Sequence, residues 1–231
     1  MISEAIIDAA EQVFGEVGID GASLRQISRL AGSGTHYAVQ YHFGSKEALI
    51  KAIFARRLPD LERRRGDMLS EAGRAGLLQD PQTLMDVLLR PLIFQTDTNG
   101  HHSYAAFLIN VYWHSSVPIT WLQDVPLTKH IMELLYGTMP DIPADITRER
   151  VRLATVMFLH VLVNLDRSRA EGRENPFADR LIDDAIAMAA GAITTPLPAS
   201  FGDVAAPSAR GRRAARAPRQ VETVGRISRD N

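Results

Sequence analysis

The chain contains no cysteine. That excludes disulfides, thiolate metal sites and cysteine nucleophiles, and it fits a reducing compartment. No apolar run reaches the ~18 residues that a bilayer-spanning helix needs. The start, MISEAIIDAAEQVF, is acidic and amphipathic and lacks the basic opening and apolar stretch of a signal peptide. These absences point to a cytoplasmic protein without a membrane partner. Aromatic residues make up only 6% of the 231 positions, so any place where they cluster is informative. Neither sign of charge dominates, at a net −1, but the distribution is uneven. Residues 1–65 carry 9 basic and 8 acidic side chains, residues 66–195 carry 10 and 16, and residues 196–231 carry 7 and 3. An acidic middle repels phosphate, so a nucleic-acid contact falls to the head or the tail.

What is present is helical. Apolar residues amount to 45%, enough to bury a core. Ile6, Ala10, Val13, Phe14 and Val17 form one helical stripe, with Ser3 as N-cap and Gly18 as the stop. Ser23 with Gln26 makes a capping box for a short second helix whose stripe is Leu24, Ile27, Leu30 and Ala31. Gly32 to Gly34 end it, and a third helix follows at about Thr35 to Tyr41. Ser45 caps a fourth, with Leu49, Ile50, Ile53 and Phe54 inward. Pro59 cannot donate to the carbonyl four residues back, so the fourth helix is expected to kink or restart there. The segment LERRR just after it reads as a solvated basic face. Further helices are expected near 81–96, 102–116, 120–136, 147–171 and 176–193. The stretch VRLATVMFLHVLVNL is apolar nearly all round and predicts burial on several sides. Ala178, Ala185, Ala189 and Ala192 form a small-residue stripe suited to a close helix pair. From about 196 onward Pro, Ala, Gly and Arg dominate, which predicts a disordered basic tail. The fold class is therefore all-α, in three parts: a helix-turn-helix head over 1–46, a helical body over 47–195 and the tail over 196–231.

The stretch AGSGTHYAVQYHFGSKEAL packs histidine, tyrosine and glutamine between two glycine steps. A metal site does not account for it: His36 and His42 are about 240° apart around a helix axis and no acid lies between them. The remaining histidines, His101, His102, His114, His130 and His160, suit hydrogen-bonded core positions. A phosphate loop does not fit either, since Lys46 is followed by Glu47 and no strand precedes. No nucleophile-and-base pairing is evident, so neither catalysis nor a cofactor is expected. Recognition remains. Three short helices with a tight glycine turn between the second and third form the layout that places the third helix in the DNA major groove. Ala38, Val39 and Phe43 face inward, leaving Thr35, His36, Tyr37, Gln40, Tyr41 and His42 outward. Gln suits adenine, and Tyr and His suit phosphates or base edges. Lys46 and the amides at the next helix start form a phosphate clamp. Ser23 and Arg25 at the opening of the second helix complete the DNA-facing set.

The run from Ile6 to Ile50, with Gly18, Gly21, Leu24 to Ala31, Gly32, His42-Phe43, Ser45-Lys46 and Leu49, resembles the DNA-binding domain of the TetR family of bacterial transcriptional regulators. The turn is one residue longer than the commonest spacing, and Gln40 stands where a tyrosine is usual. Beyond residue 60 only length and helical layout agree. The resemblance implies a body that binds a small-molecule effector, and a homodimer formed through the last two long helices, about 147–193. It implies binding to a double-stranded DNA operator, most often as a repressor released by ligand, with Phe43 in the core and His42 on phosphate.

The effector pocket is sought where aromatics cluster. SYAAFLINVYWH supplies Tyr104, Phe107, Asn110, Tyr112, Trp113 and His114. Phe158, His160 and Asn164 lie on the penultimate helix, with Trp121 and Met132 between. Large aromatics with a few polar groups suit an apolar or aromatic ligand. Two other classes stay open on the residues alone: an enzyme built on the helical body, and a helical module whose head binds a protein.

Overall fold

A computed structural model describes residues 2–32, 38–114, 125–173 and 175–199. Among these residues there are nine α-helices, one 3-10 helix and no strand. Helix α1 runs Ile2–Gly21, α2 Leu24–Leu30, α3 Ala38–His42 and α4 Lys46–Arg74. Helix α5 spans Pro81–Leu89 and passes into the 3-10 turn Arg90–Phe94. The change of helix type falls where Pro91 has no N–H for the carbonyl a turn earlier. Helices α6 (Ser103–Trp113), α7 (Pro126–Thr138), α8 (Ala144–Ala170) and α9 (Ala178–Thr194) complete the body.

In α1 the buried face is Ile6, Ala9, Ala10, Val13 and Phe14. Ser3 lies inside the helix, which begins at Ile2, so it is not the cap. Val17 is exposed, because Gly18 leaves the helical conformation (φ 77°) and ends the stripe one turn early. Packing of α1 on α6 is close at Gly15, where a Cβ would lie 3.0 Å from the Ala106 Cβ and 3.3 Å from the Phe107 nitrogen. Asn110 holds the same seam by donating to the Gly15 and Ala106 carbonyls, both at 3.1 Å.

Ser23 caps α2 by accepting from the Gln26 amide at 3.1 Å, and Ser45 caps α4 by accepting from Ala48 at 3.1 Å. Ile27 is buried, but Leu30 is exposed at the end of the two-turn helix. Helix α4 presents Leu49, Ile50, Ile53 and Phe54 to the core. It continues through Pro59 as one 29-residue helix and does not restart. Asp60, in the next position, accepts from Arg63, Arg64 and Gln95, so this turn is tied down by side chains. The segment LERRR is not uniformly solvated: Arg63 is exposed, whereas Arg65 is only 7% exposed.

Helix α8 buries Val151, Ala154, Thr155, Val156, Phe158, Leu159, Leu162 and Leu165 and pairs with α9. In α9 the close-approach alanines are Ala185, Ala189 and Ala190, while Ala192 is exposed. A single apolar core extends from Ile6 in α1 to Ile193 in α9, so head and body share it. Residues 1–196 group as one compact unit, and the boundary expected near 46 falls at the start of α4. The second unit, Leu197–Asn231, lies almost wholly outside the described residues, and the expected tail with it.

Candidate nucleic-acid interface and body cavity

The third helix of the head is anchored by Val39, which is fully buried, and by Phe43, which packs half-buried against the core. Gly44, at φ 74°, takes the backbone from α3 toward the Ser45 cap, a conformation that favours glycine. Val39 inward leaves Gln40, Tyr41 and His42 exposed. Tyr41 is 86% exposed, and its ring meets His42 edge-on at 5.2 Å. A large aromatic so exposed contributes little to folding and is available to a partner. Arg25 and Arg29 are exposed on α2. Thr35, His36 and Tyr37 lie outside the described residues.

Two members of the expected DNA-facing set have structural work. The Ser23 hydroxyl accepts from the Gln26 amide. The Lys46 ammonium donates to the Ile19 carbonyl at 2.8 Å and the Asp20 carbonyl at 3.1 Å. Those carbonyls lie at the end of α1, where helical N–H donors run out and a cation is favoured. An ammonium has three donors, so one remains. Lys46 is therefore first a clasp between α1 and α4.

Asp20 also meets the body. The His114 Nε2 lies 2.9 Å from its Oδ1, joining the ends of α1 and α6. The His114 contact holds the Asp20 carboxyl below its usual range, with the nearby Lys46 charge acting in the same direction. A second junction centres on Glu11, 1% exposed, which accepts from Arg56, Arg57 and Ser103 and so ties α1 to α4 and α6.

The body contains a cavity of about 310 Å³ between α4, α5, α6, α7 and α8. Leu58, Leu61, Leu88, Leu89, Leu92, Leu108, Met132 and Val151 supply its apolar wall. Its polar groups are Arg65, Tyr104, Tyr112, Thr128 and Thr155 within, and Lys129, Glu133, Tyr136, Arg148 and Arg152. Arg65 donates to the Thr128 hydroxyl and the Leu88 carbonyl, each at 2.9 Å, with Glu62 3.8 Å away. Burial pushes the Arg65 guanidinium down from its ordinary value, and Glu62 opposes this. Burial pushes the Tyr104 and Tyr112 phenols up, so both keep their protons.

Of the residues expected to form a pocket, Tyr104 lines this cavity, as do Tyr112 and Met132. The others do not. Phe107 and Phe158 are fully buried in the core. Asn110 bonds α1, and His114 bonds Asp20. Trp113 is 63% exposed with the Arg152 guanidinium over its ring at 5.2 Å. His160 and Asn164 are exposed because they fall on the outer face of α8. Trp121 lies outside the described residues. Core histidines are likewise fewer than expected: His102 is buried against Asp166, while His101, His130 and His160 are exposed. Missed altogether was Arg65. The available signal was its spacing: Leu58, Leu61, Arg65, Leu69 and Ala72 recur at helical intervals, so Arg65 occupies an apolar position.

Among the described residues no three His, Asp or Glu side chains are grouped to hold a metal, and no helix is long and apolar enough to cross a membrane. No curated protein matches the chain. The crystal structure of a candidate tetR family transcription regulator from Shewanella sp. PV-4 superposes with a TM-score of 0.53 at 19% identity, over 80% of this chain and 97% of that one. That likeness shows the all-α fold. Residues 6–53, the span from α1 into α4 described above, match the sequence profile of the bacterial regulatory proteins of the tetR family.

Proposed function

We propose that the protein is a transcriptional repressor that binds a palindromic DNA operator as a homodimer and is released by a small effector held in the body cavity. The observation that carries this reading is helix α4. One end of it, at Lys46, is clasped to the end of α1 beside the recognition helix, and further along Leu58, Leu61 and Arg65 line the cavity. A ligand that displaces α4 acts on the head through a continuous rod.

The DNA-facing set is Arg25, Gln40, Tyr41 and His42, together with Thr35, His36 and Tyr37. Gln40 and Tyr41 are the base-reading candidates. Ser23 and Lys46 join it as anchors of the helix ends, with the third Lys46 donor directed to phosphate. Dimerisation through residues 147–193 is supported by large apolar side chains left in solvent on the α8–α9 pair: Leu153 on α8, and Leu181 and Met188 seven residues apart on α9. The acidic middle and basic tail suit a cytoplasmic protein whose body stays off DNA while its head engages it.

The test is selection of genomic fragments by the purified protein at moderate salt, followed by sequencing. A recovered palindrome supports the reading, and its half-site spacing reports the dimer. Sequence-independent recovery together with co-purification of a protein partner would transfer the function to protein interaction.

A further inference from the structure

We propose that the ligand of the body cavity is an amphipathic acid: an apolar tail with a carboxylate head received by Arg65 and Tyr104. This rests on the reading of the cavity as the effector site and adds the chemical class of the effector.

Two buried polar groups on residues of the cavity wall are unsatisfied. The Tyr104 hydroxyl is buried on a residue 1% exposed, and the Arg65 Nε is buried on a residue 7% exposed. Neither has a hydrogen-bond partner among the described residues. Buried polar groups are nearly always paired, because an unmade bond leaves the full desolvation cost. Both residues line the cavity. An Nε–H only donates. A phenol hydroxyl carries one O–H donor, so an acceptor can satisfy it as well. The missing partner is thus an acceptor, and a carboxylate accepts from both groups at once.

Charge selects the acid over a neutral acceptor. The cavity lining holds four cations, Arg65, Lys129, Arg148 and Arg152, against one carboxylate, Glu133. Glu62 stands beside Arg65 with its buried Oε1 also unpaired, but at 3.8 Å it is beyond hydrogen-bond reach and it does not line the cavity. The carboxylates that pair Arg148 and Arg152 are Asp145 and Glu149, both exposed and therefore screened by solvent. An ammonium head would face Arg65 directly and is disfavoured. The remaining wall is leucine and methionine and sets the tail. At about 310 Å³ the space is at the lower end of the range for small-ligand sites, roughly 300–1,000 Å³.

The experiment uses the full-length protein and three probes with the same tail, octanoate, octanamide and octylamine, titrated calorimetrically at pH 7. Tyr104→Phe is the principal variant, since it deletes only an unpaired hydroxyl and leaves the ring packing intact. Arg65→Gln is the second. The expected result is octanoate binding about ten-fold or more tighter than octanamide, with no measurable octylamine binding. Tyr104→Phe should weaken octanoate about ten-fold and octanamide less. Arg65→Gln, if folded, should abolish the preference for the acid. Equal affinity for acid and amide, no binding of any probe, or unchanged octanoate affinity in Tyr104→Phe would each overturn the assignment. The regulatory reading is separated by adding octanoate to the operator complex. Octanoate that binds with the expected selectivity but leaves DNA bound upholds the acid site and sinks the effector role.

Discussion

Replacing Glu11 with alanine removes the common acceptor of three side chains from two other helices. Arg57 reaches Glu11 with Nε at 2.9 Å and Nη2 at 2.6 Å, Arg56 with Nη2 at 3.2 Å, and Ser103 with its hydroxyl at 2.6 Å. Arg56 keeps a second carboxylate, Asp8, and is partly solvated. Arg57 does not have that relief. Burial alone lowers its basicity, and the Glu11 contacts outweigh burial and hold it above its ordinary value. With Glu11 gone, Arg57 keeps the Thr96 carbonyl at 3.2 Å and the face of the Tyr104 ring at 5.7 Å, and a buried charge is left without its carboxylate. Breaking one side of such a pair costs about 3–5 kcal/mol. That is a large share of the ~5–15 kcal/mol that holds a folded domain. For a chain of this size it corresponds to a fall in Tm of roughly 6–20 °C, at about 2–4 °C per kcal/mol. The assay is urea unfolding and calorimetry of Glu11→Ala beside Arg57→Leu and the double variant Glu11→Ala/Arg57→Leu. The double variant should cost markedly less than the two single changes added together, since it leaves no unpaired charge. A Glu11→Ala protein within ~1 kcal/mol of wild type, or strictly additive single and double changes, would refute the reasoning.

Four further outcomes are expected. Tyr41→Ala should leave the unfolding midpoint unchanged while operator affinity falls by orders of magnitude. Lys46→Ala should lower both, losing on the order of 1–3 kcal/mol of stability with its two carbonyl bonds; band-shift titration beside urea unfolding reads the contrast, and unchanged operator affinity in both variants would remove this surface from DNA recognition. Gly15→Val should cost about 1–3 kcal/mol, because the new Cβ meets the α6 backbone, which cannot swing aside as a side chain does; a neutral result in urea would show that the α1–α6 seam is loose. For Asp166, burial pushes the carboxyl up, but side-chain and backbone bonds from His102 and the charge of Arg169 outweigh it and hold it below its usual range. A folded value below the unfolded one of about 3.9 stabilises the fold above that pH and is lost as pH falls through the folded value. Asp166→Asn should therefore be less stable than wild type at pH 7, with the gap closing below about pH 4; a gap independent of pH would mean that the carboxylate charge contributes nothing.

Local, periodic features were legible before any fold was known. The stop at Gly18, the caps Ser23 and Ser45, and the inward face Leu49, Ile50, Ile53 and Phe54 depend on neighbours within a turn or two of chain, and the structure has them as expected. So does the all-α class, since helical periodicity is a property of the sequence itself. Failures came where a residue's fate depends on a distant element. Pro59 looked like a break, yet α4 continues, because packing along the helix and the Asp60 cluster offset one missing bond. Lys46 gave no sign of its clasp on α1, because only the arrival of that helix beside it supplied the Ile19 and Asp20 carbonyls.

The cavity shows the same division most clearly. An aromatic-rich segment drew attention to α6, but a helix shows its residues to different neighbours every 100° or so. Tyr104 and Tyr112 fell toward the cavity, Phe107 into the core, Asn110 onto α1 and Trp113 into solvent. Arg65 was hidden inside a run of charges that looked solvated. Sequence alone determined that the chain would build helices and that its body could bury a core, and it read residues 1–46 as a helix-turn-helix head. Tertiary structure decided which side chains face the empty space within that body, because cavities belong to the meeting of five helices and to no segment of the chain.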